Sequence, residues 1–99
     1  MQNKYTIKMH HKAFRDLDRI YQYIYEQVPE YAEDQINRLE AGIFALEEYP
    51  YRCPERRTGR YANRGYRELV VDNFIIIIKI HERKKEVDII TVQHVKRNV

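Results

Sequence analysis

Phe74-Ile75-Ile76-Ile77-Ile78-Lys79-Ile80 is a β-branched and aromatic run broken by one lysine. A run this short reads as a strand, not a helix. Side chains alternate across a strand, so this one carries apolar groups on both faces. It is predicted to be central, with both faces covered or one face awaiting a partner. As the longest apolar run in the chain, it is far too short to span a membrane.

Reading outward, Asp72-Asn73 suits a tight hairpin turn to a preceding strand over Gly65 to Val71. On the other side, Glu82 to Lys85 is a polar turn leading into a strand over Glu86 to Gln93. These three form an antiparallel meander. Near the N-terminus, Tyr5, Ile7 and Met9 alternate with polar residues, predicting a short strand that adds to the same sheet. Between them lie two helical stripes. Phe14, Leu17, Tyr21, Ile24 and Val28 mark the first; Ala32, Ile36, Leu39, Ile43 and Leu46 mark the second. Pro29 suits the start of the second helix, where its missing N–H costs little, and Pro50 ends it. The expected class is α+β, in the order β-α-α-β-β-β. One four-stranded antiparallel sheet packs on a helical hairpin, in a single domain over residues 1–99.

The charge is unevenly placed. Net charge is +3, yet Arg52, Arg56, Arg57, Arg60, Arg64 and Arg67 face only Glu55 across their own segment, a local surplus of +5. The remainder of the chain is therefore slightly acidic. Tyr51, Tyr61 and Tyr66 interleave with these arginines in a stretch punctuated by Pro50, Pro54, Gly59 and Asn63. Guanidinium groups grip phosphates bidentately and aromatic rings stack on bases, so the mixture suits RNA; an acidic protein surface would suit it equally. The bland alternative is a solvated loop.

Other chemistry is poorly supported. The lone Cys53 cannot form an internal disulfide and has no histidine near it in sequence, so a passive thiol is expected. His10 and His11 are adjacent and point apart on a helix, and His81 sits in a turn. Asp16 and Asp18 diverge on the first helix. There is no CxxC, HExxH or acidic metal loop, so no metal and no cofactor is expected. With no apolar signal core from Met1 to His10, a cytoplasmic protein without a membrane partner is expected.

Over essentially its whole length the chain resembles the RelE/ParE superfamily of toxins from type II toxin–antitoxin pairs. The resemblance lies in the order and spacing of several pieces. They are the first strand, the helical hairpin, the Leu46-Glu-Glu-Tyr49-Pro50 ending and the arginine-rich loop. They continue with Gly65-Tyr-Arg67-Glu-Leu-Val-Val71, the strand that follows Asp72-Asn73, and Val87-Asp-Ile-Ile-Thr-Val-Gln-His94-Val-Lys96-Arg97. The resemblance implies a growth inhibitor neutralised by a cognate antitoxin. RelE-like members cut mRNA in the ribosomal A site; ParE-like members poison DNA gyrase and are not nucleases. Fold alone does not choose between them.

Metal-free RNA cleavage needs a base, cations for the pentacovalent phosphate and an acid for the leaving oxygen. Arg67 matches the family's strand arginine and Arg97 its C-terminal arginine, while His94 could move a proton near neutral pH. Arg67 could instead pair with a neighbouring acid, and His94 could be a structural histidine. Arg52, Arg56, Arg57, Arg60, Arg64 and Lys96 are candidates for nucleic-acid or partner binding. Tyr21, Tyr23, Tyr25 and Tyr31 are helix aromatics, with an antitoxin-binding surface as their functional alternative. Many RelE-like nucleases carry a tyrosine beyond the basic end, and no residue up to Val99 matches it. The reading leans to a ParE-like gyrase poison, with an mRNA interferase as the alternative. A non-toxic RNA- or protein-binding module is the third.

Overall fold

The computed structural model describes residues 4–97, with side chains as far as Lys96. Its elements are β1 (Thr6–Met9), α1 (His11–Gln27), α2 (Pro29–Phe44), β2 (Arg67–Val71), β3 (Phe74–His81) and β4 (Glu86–His94). Short 3-10 turns lie at Ala45–Glu47, Pro50–Arg52 and Val95–Arg97. This is the expected β-α-α-β-β-β order, folded as one sheet in the order β1-β4-β3-β2. The apolar strand β3 is central and antiparallel to both neighbours. Asp72, at φ 55°, turns the β2–β3 hairpin in the left-handed region that Asn and Asp tolerate.

The sheet is mixed, whereas four antiparallel strands were expected. β1 runs parallel to β4, from Thr6↔Glu86 to Met9↔Ile89. The reason is the path of the helices. α1 carries on in the direction of β1, so that Asp16 reaches Thr91 and Val92, beyond the last β1–β4 pair. α2 brings the chain back, and the Tyr5 N–H donates to the Glu47 carbonyl at 2.8 Å. β2 thus sets out from the end where β1 began, and two further reversals leave β4 aligned with β1.

The second predicted stripe is buried as read: Ala32, Leu39, Ile43 and Leu46 are inaccessible, and Ile36 packs against the core. Leu39, Ile43 and Leu46 share one core with Ile76 and Ile78 of β3 and Val87 and Ile89 of β4. Gly42 lets α2 approach β2 closely, since a Cβ there would lie 2.9 Å from Val71 Cγ2. The first stripe is rotated from its predicted phase. Ala13, Asp16 and Leu17 are buried and Ile20 packs on the core, while Phe14 is 57% exposed. Asp16 is drawn inward by the sheet edge. Where β1 stops, β4 has no neighbour to take its outward N–H, and Asp16 Oδ2 accepts from Val92 N at 3.1 Å and from the Thr91 hydroxyl. Lys12, at 3.4 Å, balances the buried carboxylate.

Candidate target-binding site

Three observations place Arg67. It shares its face of β2 with Leu69 and Val71, which pack against the core. It lies at the start of the strand, paired with Ile78. There the 3-10 turn Pro50–Arg52 covers it: Arg67 Nη1 donates to the Cys53 carbonyl at 2.7 Å, and its guanidinium lies 5.1 Å from the centre of the Tyr51 ring. Its Nε and Nη2 have no hydrogen-bond partner among the described residues. An acid on a neighbouring strand, the structural alternative for Arg67, is therefore not what holds it.

His94 lies elsewhere. A bulge in β4 opposes Ile77 to Thr91 but Ile78 to Ile89, leaving Ile90 as the extra residue. The bulge resets the alternation, so Val92 and His94 share the helix-side face with Ile89. His94 pairs with Phe74 and packs edge-on against its ring at 5.4 Å. Its Nδ1 accepts the Lys96 N–H at 3.1 Å. Four residues of β3 and two strand spacings separate the positions of Arg67 and His94, roughly 16 Å in all. Lys96 is exposed at the His94 end, in a turn tied to the β2–β3 hairpin by Val95 N to Asn73 O at 2.9 Å. The backbone of Arg97 closes that turn; its side chain lies outside the described residues. The predicted basic residues therefore form two groups at opposite ends of the sheet, not one rim.

Within the loop the arginines divide again. Arg56 was a binding candidate from sequence, but it is only 4% exposed. Its Nη1 donates to Glu68 at 2.8 Å and its Nε to the Arg60 carbonyl at 3.0 Å. Glu68 pairs with Ile77 on the face away from the helices, so Arg56 ties the loop to the sheet there and is not available to a partner. Arg52, Arg57, Arg60 and Arg64 are exposed. Arg57 is held only loosely by Glu55 at 3.5 Å, and Arg52 donates to the Glu48 carbonyl at 3.2 Å. All four remain presented to solvent: Arg52 on the 3-10 turn that covers Arg67, together with the exposed Tyr51 and next to the exposed Tyr49, and the other three in the loop that Arg56 ties to the sheet. Cys53 is buried, and burial pushes its thiol up, in keeping with a passive role.

One cluster was missed from sequence. Glu82 Oε1 accepts from the Tyr5 hydroxyl at 2.6 Å and the Tyr51 hydroxyl at 2.9 Å, while Lys85 holds its other oxygen. Lys85, Tyr5 and Tyr51 together lower the Glu82 carboxyl from 4.5 to about 2, and the Glu82 bond raises both phenols. At the far end of the sheet Arg38 and Gln35 hold Asp72 down from 3.8 to about 2. Sequence separations of 77 and 31 residues hide the Glu82 contacts from any local pattern.

These two carboxylates give a pH dependence of fixed sign. Both bind protons more weakly folded than unfolded, so their stabilisation is complete above their unfolded values. It is lost as pH falls from 4.5 towards about 2. Urea midpoints are expected to drop across that window, and Glu82→Gln with Asp72→Asn should flatten the drop. A slope untouched by both substitutions would count against this assignment.

A second surface is apolar. Met9, Phe14, Leu17, Tyr21, Ile36 and Phe44 line a groove between the helices, rimmed by Asp18 and Glu40. Phe14 and Phe44 are both more than half exposed. Tyr23, Tyr25 and Tyr31 are exposed along the helical hairpin, and Tyr21 stacks on Tyr25.

Residues 7–99 match the family model described as ParE toxin of type II toxin-antitoxin system, parDE. No curated protein matches the chain. Among solved structures, a chain of the chromosomal ParDE toxin–antitoxin system from P. aeruginosa is similar, with a TM-score of 0.78 and 22% identity, over 95% of this chain and 99% of that one. A chain of the RelBE2 toxin–antitoxin complex from Mycobacterium tuberculosis is similar with a TM-score of 0.60 and 22% identity, over 92% and 91%. At this identity both likenesses speak for the fold.

Proposed function

The chain belongs to the ParE toxin family of type II toxin–antitoxin systems, and on that premise we propose that it arrests growth by binding DNA gyrase, without cutting RNA. The observation that carries this reading is the roughly 16 Å between Arg67 and His94. Base, acid and phosphate clamp must lie within hydrogen-bond reach of one phosphodiester, and these two residues stand at opposite ends of a sheet. What lies beside Arg67 is a binding surface: the turn that carries the exposed Tyr51 and Arg52, entered from the exposed Tyr49, around a guanidinium with donors to spare. Such a surface grips a target of opposite charge and needs no cofactor. Gyrase is a cytoplasmic target, so the protein acts in the cytoplasm.

The partner that restrains it is a cognate antitoxin, as in the toxin–antitoxin systems of the two similar structures. Its seat is the groove around Phe14 and Phe44. An amphipathic helix fills such a groove with apolar side chains, and Asp18 and Glu40 at the rim select one flanked by lysine or arginine.

The rival reading, a ribosome-dependent mRNA interferase that uses Arg67, Arg97 and His94, is supported by the Nε and Nη2 of Arg67, which have no hydrogen-bond partner among the described residues and would suit a phosphate. Two assays separate the readings. Purified protein is expected to inhibit gyrase supercoiling at stoichiometric excess, to leave mRNA intact in a translation extract, and to inhibit about tenfold more weakly, but still measurably, on Arg67→Ala. Cleaved message with unimpaired supercoiling would overturn the proposal in favour of the interferase.

A further inference from the structure

We propose that Glu82 is a positioning residue for Arg67: through Tyr51 it fixes the direction in which the guanidinium presents its spare donors to the target. The inference rests on the reading that the surface around Arg67 meets the target.

Arg67 is steadied at two points, the Tyr51 ring and the Cys53 carbonyl. Both belong to one short segment, so Arg67 points where that segment puts it. The segment is itself weakly built. Tyr49 enters it at φ 55°, in the left-handed region, and the turn closes on backbone bonds of 3.3 Å from Arg52 N to Tyr49 O and 3.1 Å from Cys53 N to Pro50 O. Burial does not hold Tyr51, which is 42% exposed.

The hydroxyl does hold it. Tyr51 donates to Glu82 Oε1, the same oxygen that receives the Tyr5 hydroxyl, and the Tyr5 and Tyr51 rings meet edge to face at 6.5 Å. Tyr5 is tied to the Ala45–Glu47 turn by its N–H to the Glu47 carbonyl, and Glu82 is held by Lys85 within the β3–β4 turn. Glu82 thus joins the start of the chain, the β3–β4 turn and the arginine segment at one carboxylate. Without it Tyr51 swings on its two side-chain torsions and the cation–π contact with Arg67 goes with it.

The test is a double-mutant cycle read in cells lacking the antitoxin. The readout is the inducer level that halves growth rate, normalised to the amount of toxin. Glu82→Ala and Tyr51→Phe are each expected to weaken toxicity about tenfold, and by the same factor. Glu82→Gln should retain most of it, because its amide oxygen still accepts the Tyr51 hydroxyl. In an Arg67→Ala background Glu82→Ala should cause no further loss, whereas a merely structural role would add in full. Full additivity, or undiminished toxicity for Tyr51→Phe, overturns the proposal. Should Glu82→Ala fail to fold, Tyr51→Phe against Arg67→Ala supplies the same cycle through an exposed hydroxyl. Unchanged toxicity for Arg67→Ala alone would sink the surface itself and this inference with it. Loss with additivity would sink only the inference.

Discussion

Phe44→Glu, and Phe14→Glu beside it, are expected to give a toxin that still arrests growth but escapes its antitoxin. Both rings line the groove between the helices and both are more than half exposed. Replacing either therefore removes little from the core, and the melting temperature should shift by only a few degrees. Against a partner the change is severe. It deletes an aromatic anchor from the centre of the contact and puts a carboxylate beside Asp18 and Glu40, where an apolar side chain would have to bury it. Antitoxin affinity is expected to fall on the order of a hundredfold. Titration calorimetry with the cognate antitoxin, and co-expression rescue, measure the effect. Full rescue of Phe44→Glu by the antitoxin at wild-type levels would remove the groove from the interface. Toxicity should persist because the surface around Arg67 is built from other elements.

The largest stability effect is expected at Asp16. This carboxylate is 6% exposed and serves the Val92 N–H and the Thr91 hydroxyl at the point where β4 outruns β1. Asp16→Ala leaves both donors buried without an acceptor and Lys12 without its counter-charge. The cost should be about 3 kcal/mol, a fall in melting temperature of about 15 °C for a domain of this size. Asp16→Asn keeps an acceptor and should cost about 1 kcal/mol. Urea unfolding decides. A loss below about 1 kcal/mol for the alanine variant would mean that the β4 edge is satisfied in some other way.

The elements were legible in the sequence because each rests on local periodicity. The β3 run, the second helical stripe and the Asp72-Asn73 turn all stand where the pattern puts them. The direction of β1 was not legible, because it depends on which way α1 leaves Met9, and that is fixed by Asp16 meeting residues more than seventy positions away. The phase of α1 was ambiguous for a related reason: Leu17 and Ile24 suit a stripe through Phe14 and Tyr21, but also one through Ala13 and Ile20. Asp16 counts against burying the face of Ala13 and Ile20, until the sheet edge supplies donors for it. The site was only half legible. Density of charge pointed to the loop, yet it could not tell Arg56, spent on Glu68, from Arg57, which stays in solvent. Nor could strand alternation locate His94, because the bulge at Ile90 shifts it by one.

The parallel pairing of β1 with β4 also bears on when the fold can close. Thr6 to Met9 find their partners only in residues 86–89, so the outermost strand stays unpaired until those residues have been made. Closure between the two ends of a chain is the slow, late part of assembly. A chain cut short before β4 therefore lacks the partner of β1 and is expected to be left with an open sheet edge in place of the finished fold.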